Sequence, residues 1–171
     1  NFNSKLSYNG GTLPERKLGN TTIQLEGDIC VDTIVTAAYL FKKKDIVDIN
    51  FFDENFFIYF LDFDICRKAK KQKKSIIQVY NSKAQHAHGN LKVKNLFKKI
   101  YLKNYHFTFD ELYYYYKINK HHEILQKLRK KIPSFFIKTL INILILRIDK
   151  VTLYVSKILA FYKFNNFLKK N

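Results

Sequence analysis

Charge is divided unevenly along this 171-residue chain, and that division constrains its architecture most. Residues 1–89 carry 13 basic and 10 acidic side chains, a net of +3, whereas residues 90–171 carry 18 and 4, a net of +14. The boundary near Gly89 implies a balanced domain over 1–89, which the local signals below read as α/β, followed by a basic, aromatic tail over 90–171, which they read as helical. With 47% hydrophobic and 26% charged residues, the chain can bury a core and is not a disordered tail. Methionine is absent and the first residue is Asn1, so the expectation is a piece of a longer protein or a processed product.

The total of +17 invites a nucleic-acid reading, because clustered cations bind phosphate backbones. Only four of the 31 basic residues are arginine, however, and arginine supplies the planar fork that reads bases and phosphates. Lysine together with abundant Asn, Ile, Phe and Tyr is what an A/T-rich genome writes by default. Cys30 and Cys66 are too few for a disulfide scaffold and too far apart for a zinc ribbon, which makes a reducing compartment the default. No stretch reaches the roughly 18 apolar residues of a membrane span, and the first twenty residues lack a signal-peptide core. These features suit a cytoplasmic chain, with room for peripheral contact at the inner face of the cell membrane.

Local signals suggest the following elements. Gly10, Gly11, Pro14, Gly19 and Gly27 make residues 1–28 mostly loop, with a short strand at Thr22–Leu25. Val31–Phe41 reads as a buried strand running into a helix start. Asp45–Ile49 gives one helical turn, and Asn50 falls where a left-handed residue closes a helix. Asp53 can cap a helix to about Gln72, with acids in its first turn and cations in its last. Ser75–Tyr80 reads as a strand. Phe109–Lys131 and Ser134–Lys163 read as helices separated by Pro133.

Two carboxylates within the helix Asp53–Gln72 are expected to differ. Asp64 has Arg67 at i+3 and Lys68 at i+4, which explains it as a surface ion pair. Asp62 has Ile58, Tyr59, Ile65 and Cys66 at the corresponding positions, so its carboxylate faces apolar groups. Desolvation there would make it a better proton acceptor. The ordinary alternative is a bond to a backbone amide or a distant lysine. The Asp62-Phe63-Asp64 spacing also spells the D-x-D of nucleotide-sugar enzymes, but that motif belongs at a strand end and these residues read as helix. His86 and His88, two apart on an extended stretch, point the same way and suit a divalent metal. A solvent-facing or hydrogen-bonded pair is the commoner use of such histidines.

Taken in order, these pieces resemble the second half of bacterial family 2 glycosyltransferases, the rhamnosyltransferase-like branch, over about residues 9–89. Asn9-Gly10-Gly11 is similar to the family's glycine-containing loop, and Val31–Lys43 to a strand that ends in a basic pair. Phe52-Asp53-Glu54-Asn55-Phe56-Phe57-Ile58-Tyr59-Phe60-Leu61-Asp62-Phe63-Asp64-Ile65-Cys66-Arg67 matches the pattern F-D-E-x-F-F-x-Y-x-x-D-x-D-x-C-x-R with one residue missing before Arg67. Ala84–Gly89 resembles the H-x-x-G ending of the catalytic sheet. The resemblance implies the C-terminal half of a GT-A type mixed sheet with flanking helices. It also implies inverting transfer from a nucleotide-sugar to a saccharide or lipid-linked acceptor, in cell-surface polysaccharide or lipopolysaccharide synthesis. Asp62 would be the catalytic base and Arg67 a donor-binding residue. His86, with His88 as a substitute, would sit at a Mg²⁺ or Mn²⁺ site. Leu61 stands where many members have Glu, Asn50 where glycine is usual, and the acceptor-side glycine expected near Ala37 is missing. The donor-binding first half is not in this chain, so the piece alone should not turn over.

The tail offers a second class of function. Phe135, Phe136, Leu140, Ile143, Leu144 and Ile148 recur at helical spacing with lysines at both flanks, so the stretch 133–163 suits peripheral contact with anionic lipid. An ordinary core helix explains the same pattern. A non-enzymatic basic module for RNA, stacking bases on Tyr113–Tyr116, is the rival reading. Four consecutive tyrosines point all round a helix, which favours packing over a stacking platform and argues against a specific nucleic-acid partner.

Overall fold

The computed structural model describes residues 10–11, 27–34, 38–82 and 93–170. Two compact units emerge: Asn1–Glu54 with Leu61–Ala87, and Asn55–Phe60 with His88–Asn171. The first unit holds β1 (Gly10–Gly11), β2 (Ile29–Cys30), β3 (Thr33–Ile34), α1 (Lys43–Asp48), α2 (Leu61–Lys71) and β4 (Ile77–Gln78). The second holds α3 (Leu96–Lys117), α4 (His121–Leu144) and α5 (Ile148–Leu168), packed on one another.

The expected GT-A mixed sheet is not there. Among the described residues, strands form two separate antiparallel ladders, β1 with β3 and β2 with β4, each two residues long. The apolar residues read as strand are used differently. Ile49, Ile65 and Cys66 form a buried cluster, and Ile34, Tyr39, Ile46, Ala69 and Ile76 pack against it. Ile34, Tyr39 and Ile76 therefore pack on the α1–α2 cluster instead of extending a ladder, and among the described residues neither two-stranded pair gains a further strand. Ion pairs tie the first unit together at its rim: Lys70 with Asp32, and Lys74 with Asp45 at 2.6 Å and Asp48 at 3.0 Å. The Thr22–Leu25 strand lies outside the described residues.

Helix α2 starts at Leu61, not after Asp53. The intervening Asn55–Phe60 belongs to the helical unit, and Asp110 is the reason. Its side chain is fully buried, and it accepts N–H groups from Phe57 (3.2 and 3.3 Å), Ile58 (3.2 Å) and Tyr59 (3.0 Å). Burial pushes the Asp110 carboxyl above the ordinary carboxylate range, and the three amides pull against that shift. Rings complete the capture: Phe56 is buried edge-on to Tyr113 with Lys117 above its face, and Phe57 stacks on His106 at 3.8 Å. Aromatic and β-branched residues are weak helix formers, so tertiary contacts override the cap signal at Asp53.

Helix α3 starts well before Phe109, because the Asn95 side chain accepts the Lys98 amide at 3.0 Å and caps it. Pro133 does not separate two helices but lies inside α4, exposed to solvent. The helix continues past it because Ile132 packs with Ile158 and Phe161 of α5, flanked by Leu125, Leu128 and Phe135. The break falls later, at residues 145–147, inside the stretch read as one helix.

Four helices close with the same hydrogen-bond pair, in which the two residues after the C-cap bond back to carbonyls three and five positions earlier. Asn50 and Phe51 do this for α1, Lys73 and Lys74 for α2, Asn119 and Lys120 for α3, and Leu146 and Arg147 for α4. Asn50, Lys73, Asn119 and Leu146 each take φ of 57° to do so. Asn50 and Asn119 tolerate that conformation, whereas Lys73 and Leu146 carry its steric cost.

Two outcomes follow from these contacts. Asp110→Ala should lower the unfolding free energy by about 2–4 kcal/mol in urea titration, since it strands three amides, and Asp110→Asn should cost less because one acceptor oxygen remains. Equal midpoints for Asp110→Ala and wild type would remove the carboxylate from this role. Pro133→Ala should stabilise the helical unit by about 1–3 kcal/mol, because it restores the amide that bonds to Arg129 without losing buried contact. A lowered midpoint would mean that the ring itself packs.

Candidate functional site

Of the residues singled out by sequence, Asp62, Asp64 and Arg67 lie on α2. Its first turn carries Asp62 and Asp64, and its last turn Lys68, Lys70 and Lys71, so both ends complement the helix dipole. Asp64 is paired with Lys68 at 3.3 Å across one helical turn. The expected ion pair is present, but Asp64 is buried at 4% exposure and so is not a surface pair. Lys68 also donates to the Phe51 carbonyl at 3.1 Å, which fixes it in place.

Asp62, two residues earlier, is half-buried. The apolar face expected around it exists on one side only. Ile65 and Cys66 are buried one turn ahead, but Ile58 and Tyr59 precede the helix and provide no turn behind it. Instead, the Asp62 carboxylate acts on a polar pair within the core. Tyr39 donates its hydroxyl hydrogen to the Ile34 carbonyl, and its oxygen lies 3.4 Å from the Cys66 sulfur. Burial drives the Tyr39 phenol far above its ordinary value, with Cys66 and then the negative Asp62 adding to the shift. Burial likewise pushes the Cys66 thiol up, and Asp62 adds to that. Both groups therefore stay protonated beside a carboxylate.

Arg67 is half-buried on the same helix. It follows Asp62 by five residues, about 140° around the helix, so the two occupy different faces. His86 and His88 lie outside the described residues. No group of three or more His, Cys, Asp or Glu side chains among the described residues converges to hold a metal ion.

Two features of the helical unit were not read from the sequence. One is Asp110; its signal was an acid among only four in the basic tail. The other is the apolar turn that joins α4 to α5, where Leu144 and Leu146 are 82% and 80% exposed. The tyrosines behave as their spread around the helix implies. Tyr113 and Tyr114 are buried, and Tyr113 and Tyr116 meet Phe167 edge-on in the core between α3 and α5. No helix among the described residues is long and apolar enough to cross a membrane. Comparison with protein-family models, with curated proteins and with solved structures finds no match to this chain.

The different environments of the two cysteines can be checked directly. Cys30 is exposed and Cys66 buried. At about pH 8, a disulfide reagent should modify Cys30 rapidly and Cys66 only as the first unit unfolds, because the thiolate is the reactive form and burial suppresses it. Comparable rates for both thiols would mean that the Ile49–Ile65–Cys66 cluster is open to solvent.

Proposed function

We propose that this chain supplies the acceptor side of an inverting glycosyltransferase, which moves a sugar from a nucleotide-sugar to a hydroxyl of a saccharide or lipid-linked acceptor. The setting would be cell-surface polysaccharide or lipopolysaccharide synthesis. The observation that carries the reading is the divergence of two carboxylates on one helix. Asp64 is buried and held by Lys68, whereas Asp62 is half-exposed at the first turn. This is the carboxylate that the ordered run from Phe52 to Arg67 assigns as base. The reading rests on that run and that divergence, with no support drawn from a GT-A sheet.

In the proposed step the acceptor hydroxyl gives its proton to the Asp62 carboxylate as its oxygen attacks the anomeric carbon. The bond from that carbon to the nucleoside diphosphate breaks on the opposite face, and configuration inverts. Cys66 and Tyr39, both raised by burial, stay protonated and so do not compete with Asp62 for that proton. Arg67, about 140° round α2 from Asp62, takes no part in this step.

The test is nucleoside diphosphate release by the complete gene product from a panel of nucleotide-sugars in the presence of hydroxyl acceptors. Asp62→Asn should lower transfer by about 10²–10⁴-fold while leaving donor binding intact. Asp64→Asn should act chiefly on stability, through loss of its bond to Lys68. Wild-type turnover by the Asp62→Asn protein would overturn the assignment.

A further inference from the structure

Among the described residues, the C-terminal half of α4 meets no partner over much of its surface. Ile137, Leu140, Ile141 and Leu144 follow the i, i+3, i+4, i+7 spacing of a single helical face, and all four are exposed. Ile145 and Leu146 extend that face around the turn, Leu146 in the left-handed conformation that closes the helix. By contrast, the first half of α4 packs on α5 through Leu125, Leu128 and Ile132. A contiguous apolar tip of this kind on a soluble surface marks an interaction site.

Its surroundings indicate what it meets. Lys138, Arg147 and Lys150 border the tip in sequence, and the acid beside them, Asp149, is paired with Arg147 at 3.3 Å. Residues 90–171 carry a net of +14, so a second copy would bring like charge to the same place, whereas an anionic surface complements it. We infer that the α4–α5 turn is a docking tip that inserts Leu144, Ile145 and Leu146 into the headgroup region of an anionic phospholipid bilayer, with the flanking lysines on lipid phosphates. The face is too short to span and has the form of an interfacial anchor. This inference does not depend on Asp62 acting as a base, and it would hold in a non-enzymatic chain.

Co-sedimentation of the 171-residue chain with vesicles tests it. Vesicles of phosphatidylcholine with one part in three phosphatidylglycerol should bind the chain, and binding should weaken on the order of tenfold between low salt and about 0.5 M salt. Phosphatidylcholine alone should bind weakly. Leu144→Asp combined with Leu146→Asp should reduce partition to the anionic vesicles on the order of tenfold or more, because apolar insertion is lost and negative charge gained. Both side chains are exposed and Asp tolerates the left-handed position, so helicity by circular dichroism should be unchanged. Undiminished binding by the double variant would reduce the contact to bulk charge and overturn the inference. So would absence of vesicle binding together with a self-association that the double variant abolishes, which would make a second copy the occupant.

Discussion

Asp110 sits at the point on which the division of this molecule depends. A carboxylate in an aromatic interior is costly, and it is tolerated where several donors meet it. Here the donors are the consecutive amides of Phe57, Ile58 and Tyr59, which would otherwise be placed to continue a helix from Asp53 to Gln72. Once they are turned toward Asp110, Phe56 and Phe57 enter the rings of α3, and α2 can begin only at Leu61. The placement of Asp62 in a first helical turn, instead of the middle of a long helix, is a consequence of that capture.

Local signals were legible where a short-range interaction decides the outcome. Asn50 takes the left-handed conformation expected of it, and the basic end of α2 falls close to Gln72. The packing role of Tyr113 and Tyr114 follows from simple helical geometry. Signals failed where a distant contact overrode them. Asp53 is a good cap in isolation, but Asp110 is 57 positions away in sequence and nothing near Asp53 announces it. Pro133 is a good helix breaker in isolation, but Ile132 is held against α5. The turn at 145–147 carries no Gly or Pro, because Leu146 does there what glycine usually does.

The site was legible to a similar degree. Asp64 meets Lys68, as a four-residue spacing of opposite charges requires, though burial makes the pair part of the interior. Asp62 is half-buried where Asp64 is buried, and half of the apolar face expected around Asp62 never forms. The mixed sheet did not survive, because Ile34, Tyr39 and Ile76 are satisfied by packing on the α1–α2 cluster. Alternation of apolar side chains reports burial on one face, and burial beneath a helix satisfies it as well as burial within a sheet. The apolar tip of α4 shows the same limit from another side. Periodicity marks a face that wants covering, and it says nothing about whether the cover comes from the same chain.

The chain passes from one unit to the other at Glu54, stays for six residues, and returns at Leu61. Neither unit is therefore a continuous stretch of polypeptide, and no single cut yields both intact. A cleavage near residue 88 would leave Asp110 facing an interior from which its three donors had been removed, and would leave Phe56 attached to the wrong fragment. During synthesis, residues 55–60 emerge from the ribosome some fifty residues before their carboxylate does. They must wait without their native partner until α3 is made, so the helical unit cannot complete its interior until both of its separated segments have been synthesised.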